Sequence, residues 1–156
     1  MLIKEVMSSK VVSTTPEESL VKLVKKFIRY NFHTLPVIES EGQVVGIVDY
    51  EDIMKVFTPH NPALEKLLKS THMYNIGETD ILETELPEDI GTSVTVADIM
   101  ETDIITVGID DDVSVLRSKM KQYNVERVPV IEEGRLVGII TLFDVIVAVF
   151  KGKGVL

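Results

Sequence analysis

The apolar residues of this chain fall into short runs of two different periods. Val11-Val12-Ser13 and Ile104-Ile105-Thr106 are β-branched triplets that predict brief strands. Leu20, Leu23, Val24, Phe27 and Ile28 recur at helical spacing and predict a helix with one apolar face. Val113, Leu116 and Met120 mark a second, sparser helix of the same kind. Val37-Ile38 and residues 44–48 predict two strands joined by a turn at Glu41-Gly42; Val130-Ile131 and residues 136–140 predict two more, turning at Glu133-Gly134. Apolar helical segments close both series, at residues 50–57 and 142–150.

These runs are two copies of one pattern. With Met7 set on Met100, an offset of 93, Leu23 falls on Leu116, Tyr30-Asn31 on Tyr123-Asn124, and Pro36-Val37-Ile38-Glu39 on Pro129-Val130-Ile131-Glu132. One extra residue near Glu41 changes the offset to 92, at which Gly42 falls on Gly134, Val45-Gly46-Ile47 on Val137-Gly138-Ile139, and Asp52 on Asp144. Each copy reads strand, helix, strand, strand, helix, an α+β arrangement. A unit of about 50 residues buries too little surface to be stable alone. Two copies in one chain therefore predict sheets packed about a pseudo-twofold axis, with two related clefts between them. The boundaries expected are residues 1–57 and 94–156 for the repeats and 58–93 for a connector, with a short helix at 63–68 behind Pro62.

Charge separates the connector from the rest. The 156 residues carry 16 Lys+Arg against 25 Asp+Glu, a net charge of −9. Residues 58–93 hold 2 lysines and 7 acids, so more than half of the net charge sits there, on either a solvated linker or an acidic docking surface. An acidic chain repels a phosphate backbone, which disfavours nucleic acid as a partner. With no cysteine, disulfides and cysteine-ligated metals are excluded. The most apolar stretch, residues 136–150, is too short to span a membrane and is interrupted by Gly138, Thr141 and Asp144. It predicts a buried strand followed by a buried helix. Residues 1–10 show no secretory pattern, and the expectation is a cytoplasmic protein without membrane contact.

The repeats resemble the CBS domain (the cystathionine β-synthase motif), and together they resemble a CBS pair, or Bateman module. The resemblance is carried by Val6-Met7 and Ile99-Met100 at the starts, by Leu35-Pro36-Val37-Ile38 and Val128-Pro129-Val130-Ile131, and by GIVDYED from Gly46 and GIITLFD from Gly138. It implies tandem β-α-β-β-α units in a module that commonly dimerises. It also implies clefts that bind AMP, ADP, ATP, S-adenosylmethionine or related compounds, and a regulatory rather than catalytic role. Adenine nucleotide is then a regulatory ligand and not a required cofactor. The expected output passes to an unidentified effector protein; an interaction scaffold with vestigial clefts, or an S-adenosylmethionine binder, is the alternative.

The resemblance also distributes site residues. Thr141 falls where family members place a hydroxyl near phosphate, and Asp144 where they place the ribose carboxylate. Thr-x-x-Asp is equally a helix-capping pattern that needs no ligand. Asp144 is expected to share its cleft with Thr15, Leu20, Phe32, His33, Thr34 and Phe143. Asp52 is expected to share a weaker second cleft with Ile109, Val113, Val125 and Glu126, because Asp49 replaces the hydroxyl and repels phosphate. Arg127, beside that second set, is the candidate phosphate cation, or else a salt-bridge partner of Glu126 or another acid. Glu126 in place of a cation favours AMP or ADP over ATP. Asp110-Asp111-Asp112 answers a helix dipole more naturally than it binds metal, and His60 and His72 lack zinc-site spacing. No metal is expected.

Overall fold

The structure is a computed structural model that describes residues 1–56 and 88–156. The helix expected at 63–68, Phe57 and most of the connector lie outside the described residues. In chain order the elements are α1 (Ile3–Val6), α2 (Leu20–Tyr30), β1 (Thr34–Ile38), β2 (Val44–Asp49), α3 (Tyr50–Ile53), α4 (Ile90–Ser93), α5 (Val96–Ile99), β3 (Val107–Gly108), α6 (Val113–Tyr123), β4 (Arg127–Glu132), β5 (Arg135–Thr141) and α7 (Leu142–Gly152).

The duplication is visible in backbone detail. Helices α2 and α6 each end at an asparagine in the left-handed region, Asn31 at φ 52° and Asn124 at φ 53°. Strands β1 and β2 are antiparallel with an irregularity between Val37 and Ile38; β4 and β5 are antiparallel with the same irregularity between Val130 and Ile131, their copies. Both hairpins turn on two successive left-handed residues, Glu41-Gly42 (φ 66° and 79°) and Glu133-Gly134 (φ 50° and 78°). That combination matches the twist of the flanking strands.

The opening strands differ from expectation. Val11-Val12-Ser13 is not a strand; repeat 1 has only a parallel bridge from Thr14 to Val37. Ile104-Ile105-Thr106 is irregular too, and the strand is β3, which runs parallel to β4 from Val107, the copy of Thr14. A β-branched triplet favours extended backbone, but pairing forms where the neighbour offers free groups. Thr14 N donates to Pro36 O at 3.0 Å and accepts, through its carbonyl, from Ile38 N at 2.9 Å. The residue before each bridge is tied instead by a lysine: Lys26 Nζ donates to Ser13 O and Lys119 Nζ to Thr106 O, both at 2.8 Å. Of the closing segments, the described residues 50–56 form the single turn of α3 and a tighter turn at Met54–Val56, and α7 runs for 11 residues.

Helices α1 and α5 went unmarked by apolar periodicity, since four residues are too few to show a period. Each completes the core of the other repeat. Ile3 is buried with Val107, Leu116, Val128, Val130 and Ile140, while Val96 and Ile99 are buried with Leu20, Leu23, Leu35, Val37 and Val48. The backbone repeats the exchange: Ile3 N donates to Asp111 O at 2.9 Å and Lys4 N to Ile109 O at 3.0 Å; Val96 N donates to Glu18 O and Ala97 N to Pro16 O, both at 2.9 Å. Each residue of the second set is the copy of one in the first. Gln43 bridges to Arg135, its own copy, so the pseudo-twofold axis passes between them.

Beyond these turns the chain runs against the opposite repeat. Ser8 exchanges two hydrogen bonds with Ile139 (2.9 and 3.0 Å), and Glu101 exchanges two with Ile47 (both 2.9 Å). Glycine is required beside both crossings. A Cβ on Gly138 would lie 2.6 Å from Met7 Sδ and 2.9 Å from Ser8 O; one on Gly46 would lie 2.8 Å from Glu101 O and 3.0 Å from Met100 Sδ. A thioether can swing aside, but a paired carbonyl cannot. Gly138→Ala is therefore expected to cost about 1–3 kcal/mol by overpacking. In urea it should lower the unfolding midpoint with little change in slope. Gly152→Ala, with nothing within 4 Å of its added methyl, should leave the midpoint unchanged or raise it. Equal losses at both positions would show that close approach is not the reason for Gly138.

Candidate functional site

A cleft of about 1160 Å³ runs between the repeats. Two separate clefts were expected; one continuous cleft carries residues of both sets. Phe32, His33, Thr34, Thr141, Phe143 and Asp144 line it, and so do Asp49, Asp52, Val125, Glu126 and Arg127. Four expected members are not on its walls. Leu20 and Val113 are the first residues of α2 and α6, and each is 7% exposed in the core of its own repeat. Ile109 packs against the second core, and Thr15 is exposed ahead of α2, away from the cleft.

At one end the Thr141–Asp144 pair forms a complete helix cap. Asp144 Oδ2 accepts from Thr141 N and from Thr141 Oγ1, both at 2.7 Å, while Asp144 N donates to Thr141 Oγ1 at 3.1 Å. Capping and a ligand role are compatible here, because Oδ1 of Asp144 has no partner among the described residues. The Thr141 hydroxyl, however, has already donated its only proton to Asp144.

At the other end Asp49 caps α3, with Oδ1 accepting from Glu51 N at 2.8 Å and Oδ2 from Thr34 Oγ1 at 3.0 Å. Asp52 is buried, at 8% exposure. Its Oδ2 accepts from Asp49 N at 2.8 Å and its Oδ1 pairs with Lys55 Nζ at 3.1 Å. Burial by itself lowers the Lys55 pKa, but hydrogen bonds and attraction from Glu101 and Asp52 outweigh it and hold the ammonium above its ordinary value.

Aromatic groups line the wall between the ends. The Arg127 guanidinium lies over the Phe32 ring, 5.2 Å from its centroid, and has no ion pair to Glu126. The His33 ring meets Tyr50 edge-on at 5.4 Å. Phe143 is 70% exposed at the rim. Sequence reasoning missed Lys10, Val11, Val12, Tyr50 and Glu101, all of which line the cleft. Tyr50 was legible in principle, as the residue between the singled-out Asp49 and Asp52. Glu101 was not, because it reaches the cleft only through the exchange of starting segments. Six lining carboxylates (Asp49, Glu51, Asp52, Glu101, Glu126, Asp144) stand against Lys10 and Arg127, so the walls are net acidic.

The aspartate triplet is used structurally. Asp110 Oδ1 accepts from Lys4 Nζ at 2.7 Å and Asp111 Oδ2 from Gly108 N at 2.8 Å. Asp112 caps α6 through Ser114 N at 2.9 Å and pairs with the Met1 ammonium at 3.2 Å. Hydrogen bonding by Ser114, then by that ammonium, pushes the Asp112 carboxyl down to about 2.

The CBS domain model matches residues 3–58 and 96–151, and the chain belongs to the CBS domain family as a tandem pair. It is 29% identical over 153 residues to the uncharacterized protein MJ1426 of Methanocaldococcus jannaschii, covering 95% of this chain and 90% of that protein. It is 26% identical to L-aspartate semialdehyde sulfurtransferase of the same organism, covering 97% of this chain but only 24% of that enzyme. Among solved structures, the CBS domain pair of MJ0100 in complex with 5′-methylthioadenosine and S-adenosyl-L-methionine matches with TM-score 0.66 and 26% identity over 98% of each chain. CBSX2 in complex with AMP matches with TM-score 0.70 and 19% identity over 97% of this chain and 98% of that one, a likeness of fold alone. Among the described residues, no helix is long and apolar enough to cross a membrane.

Proposed function

We propose that the protein is a regulatory sensing module acting in the cytoplasm. An adenosine-containing small molecule occupies the cleft, is held chiefly at Asp144, and alters the module's hold on an effector protein. The observation that carries this reading is the second carboxylate oxygen of Asp144, unbonded on a cleft wall beside apolar and aromatic side chains. Two vicinal ribose hydroxyls can both donate to one carboxylate. Phe32 and Phe143 are suited to cover an adenine face, with backbone groups at His33 and Thr34 reading its edge. The adenosine ligands of the 26%-identical MJ0100 pair support the class of ligand.

AMP and ADP remain candidates, with Arg127 as the phosphate cation. A second reading is favoured by the wall charge and by the committed Thr141 proton: an uncharged or sulfonium adenosine compound meets less repulsion than a phosphate does. Titration calorimetry with AMP, ADP, ATP, 5′-methylthioadenosine and S-adenosylmethionine tests both. ATP is expected to bind weakest. Binding of none of the five at millimolar concentration would reject the sensing role and leave a scaffold with vestigial clefts.

The module is proposed to act as a homodimer. Outside the cleft, helix α7 leaves Phe150 45% exposed and α2 leaves Ile28 76% exposed. A helix apolar on most of its circumference needs cover beyond its own core. Light scattering at micromolar concentration should give twice the mass of the 17.4 kDa chain; a monomer mass would reject the dimer.

A further inference from the structure

We propose that Lys55, through its ion pair to the cleft-lining Asp52, closes the Asp52 end of the cleft to nucleosides, so that the module takes one nucleoside where its duplicated fold would otherwise take two. This rests on the reading that the cleft binds adenosine compounds. Asp52 and Asp144 are copies, and each spends Oδ2 alike, accepting from the N–H that opens its helix at 2.8 and 2.7 Å. They part at Oδ1. Asp52 Oδ1 holds the Lys55 ammonium at 3.1 Å, whereas the residue at the copied position is Val147.

Lys55 is fixed from several sides. Its ammonium also donates to Ile99 O at 2.9 Å and pairs with Glu101 Oε1 at 2.5 Å. Both acceptors come from the segment that repeat 2 lends to repeat 1. The copy of Glu101 is Ser8, so repeat 2 lacks the second carboxylate as well as the cation. The difference is thus a set of three: Asp52, Lys55 and Glu101 at one end, Asp144, Val147 and Ser8 at the other.

A ribose diol binds a carboxylate strongly because the acceptor carries charge. At Asp52 that charge is already answered, and a sugar has to displace an ammonium held by two carboxylates and a carbonyl. This obstacle is separate from Asp49, which repels only phosphate. Adenosine, which has no phosphate, isolates the Lys55 effect.

The test exchanges the two sets of residues and counts bound adenosine by titration calorimetry, with melting curves confirming that each variant is folded. Wild type is expected to bind one adenosine per chain, lost in Asp144→Ala. Lys55→Val with Glu101→Ser should bind two, the second abolished by adding Asp52→Asn. Lys55→Met, which keeps the aliphatic stem, serves if the double variant does not fold. In the reverse direction, Val147→Lys with Ser8→Glu should weaken the wild-type site at least about tenfold. One equivalent in wild type and still one in the folded Lys55 variants overturns the role of Lys55 while leaving the sensing function intact. No adenosine bound by wild type but one by the Lys55 variants supports the role of Lys55 and moves the site to Asp52. No binding by any of them rejects both.

Discussion

Asp144→Ala is expected to weaken binding of AMP or S-adenosylmethionine at least about tenfold. Hydrogen bonds to a charged acceptor contribute roughly 1.5–3 kcal/mol each, and 1.4 kcal/mol is about one decade of affinity. The same substitution removes the acceptor for Thr141 N and Oγ1, so α7 loses that half of its capping box, while Thr141 Oγ1 still accepts from the N–H of residue 144. A cap is worth about 1 kcal/mol of stability. Affinity and melting temperature must therefore be measured on the same preparations. Asp52→Ala supplies the control. It removes the equivalent acceptor at the start of α3 and one of the partners of Lys55, so it should cost a similar amount of stability while leaving affinity nearly unchanged. Asp49→Thr should improve phosphate-bearing ligands at the weaker end, by removing a carboxylate from their path. If Asp144→Ala binds as wild type does and Asp52→Ala does not, the two ends of the cleft have been assigned the wrong way round.

The parts of the fold legible in the sequence are those specified by local chemistry. Glu41-Gly42 and Glu133-Gly134 announce hairpins because two left-handed residues in succession admit few sequences. Leu20, Leu23, Leu116 and Met120 announce helices because one face must be apolar. Tertiary pairing was not legible. Val11-Val12-Ser13 has strand composition, yet the sheet meets the chain at Thr14, where Pro36 O and Ile38 N are available. The site divides the same way. Thr141–Asp144 was visible as a motif, and so was its capping function. What distinguishes Asp144 from Asp52 was hidden, because Lys55 acquires its role from Ile99 and Glu101, which lie 44 and 46 residues away and arrive through the exchange of starting segments. The places of Leu20 and Val113 in the core were hidden for a related reason. Family position put them near a ligand, but as the first residues of their helices they are needed by the core.

Ile3→Ala should produce the largest loss of stability among the changes considered. Ile3 has no exposed area and sits among Val107, Leu116, Val128, Val130 and Ile140, all 2% exposed or less. Truncating such a side chain costs about 2–5 kcal/mol, since the surrounding core collapses only in part. That is a large share of the roughly 5–15 kcal/mol that holds a domain of ordinary stability folded. The melting temperature should fall by on the order of 4–20 °C for a chain of this size. The location of the damage is the sharper outcome. By sequence Ile3 opens repeat 1, but by packing it belongs to repeat 2, and Val96 holds the converse position. Because each core contains a piece of the other repeat, neither opens without disturbing its neighbour. Amide exchange should therefore show protection falling together at Leu35 and Val48 in one repeat and at Val128 and Ile140 in the other. Val96→Ala, which removes one fewer carbon, should reproduce the coupled loss with an amplitude smaller by about 0.8 kcal/mol per missing CH₂. Loss confined to Val128 and Ile140 would mean that the repeats unfold independently. A change below about 0.5 kcal/mol, within the range of surface substitutions, would mean that Ile3 does not occupy the second core at all.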